Sequence, residues 1–193
     1  MTVNGRSIGL VSIGFALGAL FVAILVVTVG PMPQAAGPEG SSAESPRIGL
    51  PIAGVKLADI HDTFNEGRSG SRAHQATDIM KPRGTPVLAV NGGTIVKLFN
   101  SRQGGLTVYQ FDSGQIYCYY YAHLDGYAEG IFEGMAVKRG DLLGYVGSTG
   151  NANEAAPHLH FGITRIGPEK RWWGGEPIDP YPLLIQALKE VGG

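Results

Sequence analysis

Residues 94–121 read TIVKLFNSRQGGLTVYQFDSGQIYCYYY and contain three short runs of β-branched and aromatic residues. The runs are Thr94–Phe99, Leu106–Phe111 and Gln115–Tyr121, and turn-forming residues such as Asp112-Ser113-Gly114 separate them. β-branched and aromatic residues favour strands, and closely spaced strands without intervening helices are typical of antiparallel sheets. This stretch therefore predicts an antiparallel β domain.

The same pattern continues on both sides of this stretch. Strand-like runs occur at Val87–Val90, Leu142–Val146 and His158–Thr164, and only Pro182–Val191 has a helical pattern. We therefore predict one mostly β domain over residues 48–184, a length that is enough for a single hydrophobic core.

The N-terminal part of the chain has a different character. Residues 8–29 carry no charge, and about 20 apolar residues span a bilayer as a helix. The run is longer than the apolar region of a usual secretory signal, which favours an uncleaved single-pass anchor, with cleavage after residues 34–36 as the alternative. Arg6 precedes the run, which predicts that residues 1–7 are cytoplasmic and that the rest of the chain faces the extracytoplasmic side.

Two further segments flank the predicted domain. Residues 30–47 are rich in Pro, Gly and Ser, which predicts a flexible linker without a core of its own. Residues 185–193 follow the domain and are predicted to form a C-terminal tail.

The composition excludes several classes of protein. Of the 193 residues, 44% are hydrophobic, so a wholly disordered chain is excluded. The 15 Lys and Arg balance 16 Asp and Glu, and the lack of a basic block argues against nucleic acid as a partner. The single cysteine, Cys118, excludes an intrachain disulfide and a cysteine-based zinc finger.

The most informative feature is the arrangement of the histidines. His158 and His160 are two apart in a strand-like run, so both imidazoles are predicted to face one cleft. His74 and Asp78 are four apart, and in a straight strand they would be separated by about 13 Å. A bend between them would bring them together. His74, Asp78 and one histidine of the pair would then form the three-ligand shell of a catalytic zinc site.

The remaining histidines and other motifs narrow the choice of chemistry. His123 ends a tyrosine-rich strand, whereas His61 has no partner at a suitable spacing and is predicted not to be a ligand. Neither Ser69 nor Ser148 lies in a GxSxG elbow, which argues against a serine hydrolase. Gly162 occupies the position where an HxHxD metal motif would require an aspartate.

With these motifs in this order, the sequence resembles the zinc peptidases of the lysostaphin and LytM type (family M23), which cut peptide cross-links in bacterial peptidoglycan. The similarity covers residues 59–184. It is carried by His74-xxx-Asp78, Arg83–Val87, Tyr121–Leu124, Lys138–Asp141, Gly144–Gly150, Pro157–Phe161 and Pro177–Pro180. One departure is Ala76, where the family usually has glycine. If φ is positive there, alanine costs about 1 kcal/mol, but we expect the bend to tolerate it.

The resemblance implies a fold and a role for each residue. The fold would be the small antiparallel LytM-type domain, whose duplicated half-motif is echoed in the similar Lys81–Val87 and Val137–Leu143 segments. His74, Asp78 and His160 would be the zinc ligands, and His158 and His123 the catalytic histidines. His158 would act as general base on the zinc-bound water that attacks a stem-peptide carbonyl. Either catalytic histidine would protonate the leaving amine.

We therefore expect a zinc endopeptidase acting on peptidoglycan stem peptides, with its catalytic domain on the periplasmic side of the bacterial inner membrane. The alternative is a LytM-type regulator that activates a cell-wall amidase without catalysing hydrolysis. A third interpretation is a β-domain metalloenzyme with an unrelated substrate, which the spread of matching motifs disfavours. D-Ala–diaminopimelate bonds and glycine bridges both remain candidate substrates, with the former favoured, and a regulatory envelope protein is a possible partner.

Overall fold

A computed structural model describes residues 45–68 and 72–192 of the chain. The predicted cytoplasmic segment, the membrane anchor and most of the linker lie outside the described residues. Among the described residues, no helix has the length and apolar character needed to cross a bilayer.

The described residues form twelve strands, one short 3-10 helix at Leu57–Asp59 and one α-helix. In chain order the strands are β1 (Ile60–His61), β2 (Gly67–Arg68), β3 (Arg72–Ala73), β4 (Thr77–Met80), β5 (Pro86–Leu88), β6 (Gly93–Ser101), β7 (Gly105–Asp112), β8 (Tyr117–Tyr127), β9 (Ala136–Val137), β10 (Leu142–Val146), β11 (His158–Arg165) and β12 (Glu176–Ile178). The helix α1 is Pro180–Gly192.

The main sheet has the strand order β1-β4-β11-β8-β7-β6-β9, and every pair in it is antiparallel. β12 extends it beside β11, while β10 pairs with both β8 and β5. The three runs that opened the sequence analysis become β6, β7 and β8, which are consecutive neighbours. The prediction of a mostly antiparallel β domain is confirmed.

The two faces of the central strands have different neighbours. Tyr119 and Tyr121 of β8 are fully buried and pair in register with Ile163 and Phe161 of β11, which are also fully buried. Tyr120 lies between them in sequence and is only partly buried. Because alternate residues of a strand face opposite ways, Tyr120 lies on the cleft face of the sheet.

The similar Lys81–Val87 and Val137–Leu143 segments occupy equivalent places in the fold. Their glycines, Gly84 and Gly140, have φ of 82° and 90°, a left-handed conformation that favours glycine. The two turns lead into β5 and β10, which pair with each other. The similarity of the two segments therefore corresponds to two turns, each with a left-handed glycine, that lead into paired strands.

The helix α1 closes the domain. Asp179 accepts a hydrogen bond from the Tyr181 backbone N–H at 2.9 Å, and Pro180 begins the helix, where its missing N–H costs nothing. Leu184 and Ala187 are buried, and Leu184 belongs to the same hydrophobic core as the strands. The helical pattern predicted at Pro182–Val191 is confirmed, and the helix continues through residues 185–192 of the predicted C-terminal tail.

Candidate active site

Strand β11 carries two of the predicted site residues on one face. His158 and His160 are partly buried on the cleft side, and Leu159 between them is fully buried on the other side. In the pairing of β11 with β4, His160 is directly opposite Asp78. The period of the strand and its register with β4 therefore bring a histidine and a carboxylate together.

The bend that His74 and Asp78 require lies at Gln75. Its φ is 58°, and its N–H donates to the Phe64 carbonyl at 2.9 Å. After this bend, His74 Nε2 is 3.3 Å from Asp78 Oδ1. The left-handed residue is Gln75 instead of Ala76, so the alanine at the family's usual glycine position carries no backbone penalty of this kind.

Three ligand atoms converge at this point. His160 Nδ1 lies 3.0 Å from Asp78 Oδ1 and 2.8 Å from His74 Nε2. One ligand atom from each of the three residues lies within 4.8 Å of the other two. The exposed His61 is not part of this group. Two imidazoles and one carboxylate form the donor set of a three-ligand zinc site, and the group could hold a metal ion.

Thr63, which the sequence analysis did not single out, orients two of these ligands. Its carbonyl accepts a hydrogen bond from His74 Nδ1 at 3.0 Å. Because a carbonyl only accepts, Nδ1 carries the proton and Nε2 presents its lone pair to the cluster. The Thr63 hydroxyl accepts from the Asp78 N–H and donates to the Ala76 carbonyl, each at 3.3 Å. Such outer contacts are what fix metal ligands in place.

The charge of Asp78 is stabilised by its neighbours. Burial alone would raise the pKa of this carboxyl group, but its contacts with the His160 and His74 rings outweigh burial and hold the pKa well below its usual range. The group is therefore ionised at neutral pH, as a metal ligand must be.

His123 reaches the cluster from a β-bulge. Strand β8 has one extra residue opposite β7 between Tyr121 and Leu124, and His123 there has a φ of 59°. A bulge bends the strand and redirects a side chain, which explains how a residue at this position points into the cleft. Its Nδ1 donates to the Thr149 carbonyl at 2.8 Å. Burial lowers the pKa of His123 to about 4, so the neutral ring is favoured.

His158 completes the group. Its Nδ1 donates to the Ala156 carbonyl at 2.9 Å, and its Nε2 lies 3.9 Å from Asp78 Oδ1. The His123 ring centroid lies 5.0 Å from that of His158 and 5.4 Å from that of His160. The fold therefore brings all five predicted site residues together, with three at the ligand cluster and two beside it.

Fold and site together define a class of protein, an antiparallel β domain with a candidate metal centre. Residues 72–180, more than half of the chain, match the sequence profile of peptidase family M23, and the chain belongs to this family. The resemblance to family M23 that the sequence motifs indicated is confirmed.

Among curated proteins, the chain is 36% identical over 123 residues to the L-Ala–D-Glu endopeptidase of Bacillus subtilis, which covers 61% of this chain and 36% of that protein. It is 35% identical over 89 residues to the lysostaphin of Staphylococcus simulans, covering 46% of this chain and 17% of that protein. The chain thus spans 36% or less of the length of each of these relatives.

Solved structures give the same fold. A putative glycyl-glycine endopeptidase LytM from Ruminococcus gnavus superposes with a TM-score of 0.58 at 30% identity, covering 74% of this chain and 59% of that one. The catalytic domain of lysostaphin from Staphylococcus simulans gives a TM-score of 0.57 at 29% identity, covering 65% and 91%. The described domain is therefore similar to LytM and lysostaphin catalytic domains.

Proposed function

We propose that this chain is a zinc-dependent endopeptidase that hydrolyses peptide cross-links of bacterial peptidoglycan. One observation carries the proposal: two histidines and a carboxylate that could bind a metal lie directly beside two further histidines whose Nδ1 atoms are held by backbone carbonyls. The names of the relatives, an L-Ala–D-Glu endopeptidase and lysostaphin, support this substrate class.

His74, Asp78 and His160 would hold the zinc ion. Zinc bound by these residues would supply Lewis acidity, which lowers the pKa of water and polarises a carbonyl group. Asp78 contributes the negative charge that offsets part of the charge of the ion. His74 contributes a lone pair at Nε2, because its Nδ1 is committed to the Thr63 carbonyl.

His158 and His123 would handle the protons. In each ring Nδ1 donates to a carbonyl, so the neutral ring has its lone pair at Nε2. His158 would accept the proton of the attacking water at Nε2, which is the general-base role. His123 would donate to the developing oxyanion from Nε2 only in its protonated form, which its lowered pKa makes the minor form at neutral pH. The proton that His158 accepts from the water would then pass to the leaving amine, either directly from His158 or through Nε2 of His123.

The cellular placement is part of the same proposal. Residues 8–29 would anchor the chain in the bacterial inner membrane, with the peptidase domain on the periplasmic side, where peptidoglycan lies. The charge-free run of residues 8–29 and the position of Arg6 before it support this placement.

The second candidate function is regulation of a cell-wall amidase. The chain is 34% identical over 128 residues to the cell division protein DipM of Caulobacter vibrioides, which shows that not every relative carries a peptidase name. The presence of all five site residues favours the peptidase, because a regulator has no need of a metal shell with two adjacent histidines.

The two candidates are separated by one experiment. The purified full-length chain is incubated with purified peptidoglycan, with zinc and with a chelator, and the released fragments are identified by mass spectrometry. The peptidase proposal predicts zinc-dependent loss of cross-linked fragments, and the identity of the products gives the bond that is cut. Unchanged cross-linking with zinc bound would instead support the regulator.

A further inference from the structure

A single turn contacts both of the histidines to which the proposed function assigns proton transfer. This turn, residues 147–150, follows β10. The Gly147 carbonyl accepts a hydrogen bond from the His158 backbone N–H at 3.3 Å. The Thr149 carbonyl accepts one from His123 Nδ1 at 2.8 Å. The 147–150 turn therefore holds the backbone of one histidine and the ring of the other.

The Thr149 side chain attaches this turn to the two strands at the bulge that contains His123. Its hydroxyl accepts a hydrogen bond from the Leu106 N–H on β7 at 3.0 Å and donates one to the Leu124 carbonyl on β8 at 2.7 Å. Leu106 and Leu124 are partners in register at the edge of the bulge. A bulge disrupts the ladder of hydrogen bonds between two strands. The Thr149 hydroxyl therefore bonds to both strands at the point where their regular pairing is interrupted.

Two glycines allow the turn to lie directly against the beginning of β7. Gly105 and Gly150 have φ of 62° and 77°. A Cβ added at Gly105 would overlap the Thr149 hydroxyl and backbone, and a Cβ added at Gly150 would overlap the Gln103 carbonyl oxygen. The Asn151 N–H donates to the same Gln103 carbonyl at 3.0 Å. A side chain at either glycine would therefore displace the turn.

An arginine contacts the turn from another side. Arg83 Nη2 donates to Ser148 Oγ at 2.7 Å, and Arg83 Nη1 lies 3.1 Å from Asp125 Oδ1. Ser148 is buried, whereas the Arg83 side chain is half-exposed. Because ion pairs in contact with solvent contribute little, we expect the position of the turn at His123 to depend mainly on the Thr149 hydroxyl.

The backbone and the ring of His123 are held by different groups. Its N–H donates to the Gly104 carbonyl at 2.8 Å, which fixes the backbone. The Thr149 carbonyl fixes the ring at Nδ1, so the neutral ring has its lone pair at Nε2. A change of tautomer or of ring orientation would take this lone pair out of its place beside His158, whose ring centroid is 5.0 Å away.

We propose that Thr149 is a positioning residue for the reaction. Its hydroxyl attaches the 147–150 turn to the bulge, and its carbonyl holds His123 in the tautomer and orientation that keep Nε2 available for proton transfer. The proposal rests on the proposed function, in which His123 takes part in proton transfer. Because Thr149 acts through His123, loss of its hydroxyl is expected to slow the reaction step and to leave zinc binding unchanged.

The hold on the His123 ring can be measured without cleavage. The exchange of the Nδ1 proton of His123 with water is followed by NMR in the full-length chain with isotope-labelled histidine, with and without zinc. The signal is assigned by its absence from His123→Ala. Thr149→Val is expected to raise the exchange rate about tenfold or more, because the carbonyl is no longer kept in place. Thr149→Ser, which keeps a hydroxyl, is expected to restore slow exchange.

The effect on the reaction is measured with a soluble cross-linked stem-peptide dimer and the zinc-loaded full-length chain. Thr149→Val is expected to lower kcat about 10- to 100-fold with KM and bound zinc unchanged, because misalignment of His123 acts on the reaction step. Tyr127→Phe is the matched control. It also removes a hydroxyl on β8 that contacts two backbone carbonyls, those of Phe99 and Thr107 at 3.0 and 3.2 Å, and it is expected to keep the kcat of the parent chain.

Gly105→Ala displaces Thr149 by a second route. Gly54→Ala is its control, because Gly54 has a similar φ of 65° but a Cβ there contacts nothing within 4 Å. Both variants carry the cost of alanine at positive φ, and only Gly105→Ala pushes on the turn. Gly105→Ala is therefore expected to lose kcat as Thr149→Val does, and Gly54→Ala is expected to retain it. Thermal unfolding of both variants checks that the fold is kept.

Three results would overturn the proposal: parental exchange at His123 in Thr149→Val, parental kcat in that variant, or an equal loss of kcat in Tyr127→Phe. The exchange measurement does not depend on cleavage. A parent chain that cleaves nothing would reject the proposed function, while the exchange rates would still decide whether Thr149 holds His123.

Discussion

At the level of single residues, Thr63 positions His74 and Asp78, two of the proposed metal ligands. Thr63→Val keeps the carbonyl that holds His74 but removes the hydroxyl that bonds to the Asp78 N–H and the Ala76 carbonyl. We expect zinc affinity to fall about tenfold or more and the free energy of unfolding to fall by about 1–2 kcal/mol. Competition with a chelating dye and denaturant unfolding measure the two effects. Thr63→Ser, which keeps a hydroxyl, is the control, and equal zinc affinity in both variants would contradict this role.

Cys118 gives a second prediction at this scale. Its side chain is 2% exposed, and burial, with a smaller contribution from Asp112, raises its pKa to about 12. The thiol is therefore protonated at all pH values below that range, and the protonated form is a poor nucleophile. We expect a thiol reagent at pH 8 to label the folded chain far more slowly than the unfolded chain, which takes up one equivalent. Labelling at the rate of a free cysteine peptide would show that the strand is not packed as described.

Some of the site residues can be identified from the sequence, and others cannot. His74, Asp78, His123, His158 and His160 are identifiable because metal and proton chemistry requires particular side chains at particular spacings. Thr149 was missed because it acts on the site through its backbone carbonyl, which every residue has. Thr63 was missed because its carbonyl and hydroxyl contact groups more than ten positions away in the sequence.

At the scale of elements, two irregularities shape the site: the bend before β4 and the bulge in β8. Both place a residue other than glycine in the left-handed region, Gln75 at 58° and His123 at 59°. Such a conformation is costly for residues with a Cβ and is kept only where surrounding contacts determine it. Spacing alone indicated that a bend was needed but not which residue would form it.

The bend leads to a prediction about Ala76. Because Ala76 is buried and does not have a positive φ, glycine there gains no conformational relief and loses a packed methyl group. Ala76→Gly is expected to lower the free energy of unfolding by about 1 kcal/mol, measured by chemical denaturation, with zinc binding retained. Gln75→Gly is the matched comparison, since glycine suits a φ of 58°, and it is expected to be less harmful. A more stable Ala76→Gly chain would contradict the assigned bend.

The long strands could be predicted from the sequence, whereas the shortest strands could not. The long strands β6, β7, β8 and β11 carry enough β-branched and aromatic residues to be identified from sequence. The two-residue strands β1, β2, β3 and β9 have no such pattern, because their backbone state depends on the strand beside them. The sequence of β8 alone likewise does not show which of its tyrosines face the core. The partner strand β11 shows it, because its buried Phe161 and Ile163 identify the core face.

At the scale of the whole molecule, the site exists only when the sheet is assembled. His74 and His160 are 86 positions apart in the chain, and their ring nitrogens lie 2.8 Å apart only because β4 and β11 pair. A ligand cluster built in this way couples metal binding to folding, since the unfolded chain has no preformed site. The sequence motifs therefore form a site only when strands that are distant in the sequence pair with each other.

In the proposed function, His74, Asp78 and His160 hold the metal and His158 moves the proton. The most direct test is the rate of cross-link cleavage per bound zinc ion, measured with full-length chain on purified peptidoglycan. His158→Ala is predicted to retain zinc and to cleave about 10²- to 10⁴-fold more slowly, the usual contribution of a general base, whereas His160→Ala is predicted to lose zinc. Full cleavage per zinc by His158→Ala would contradict the claim.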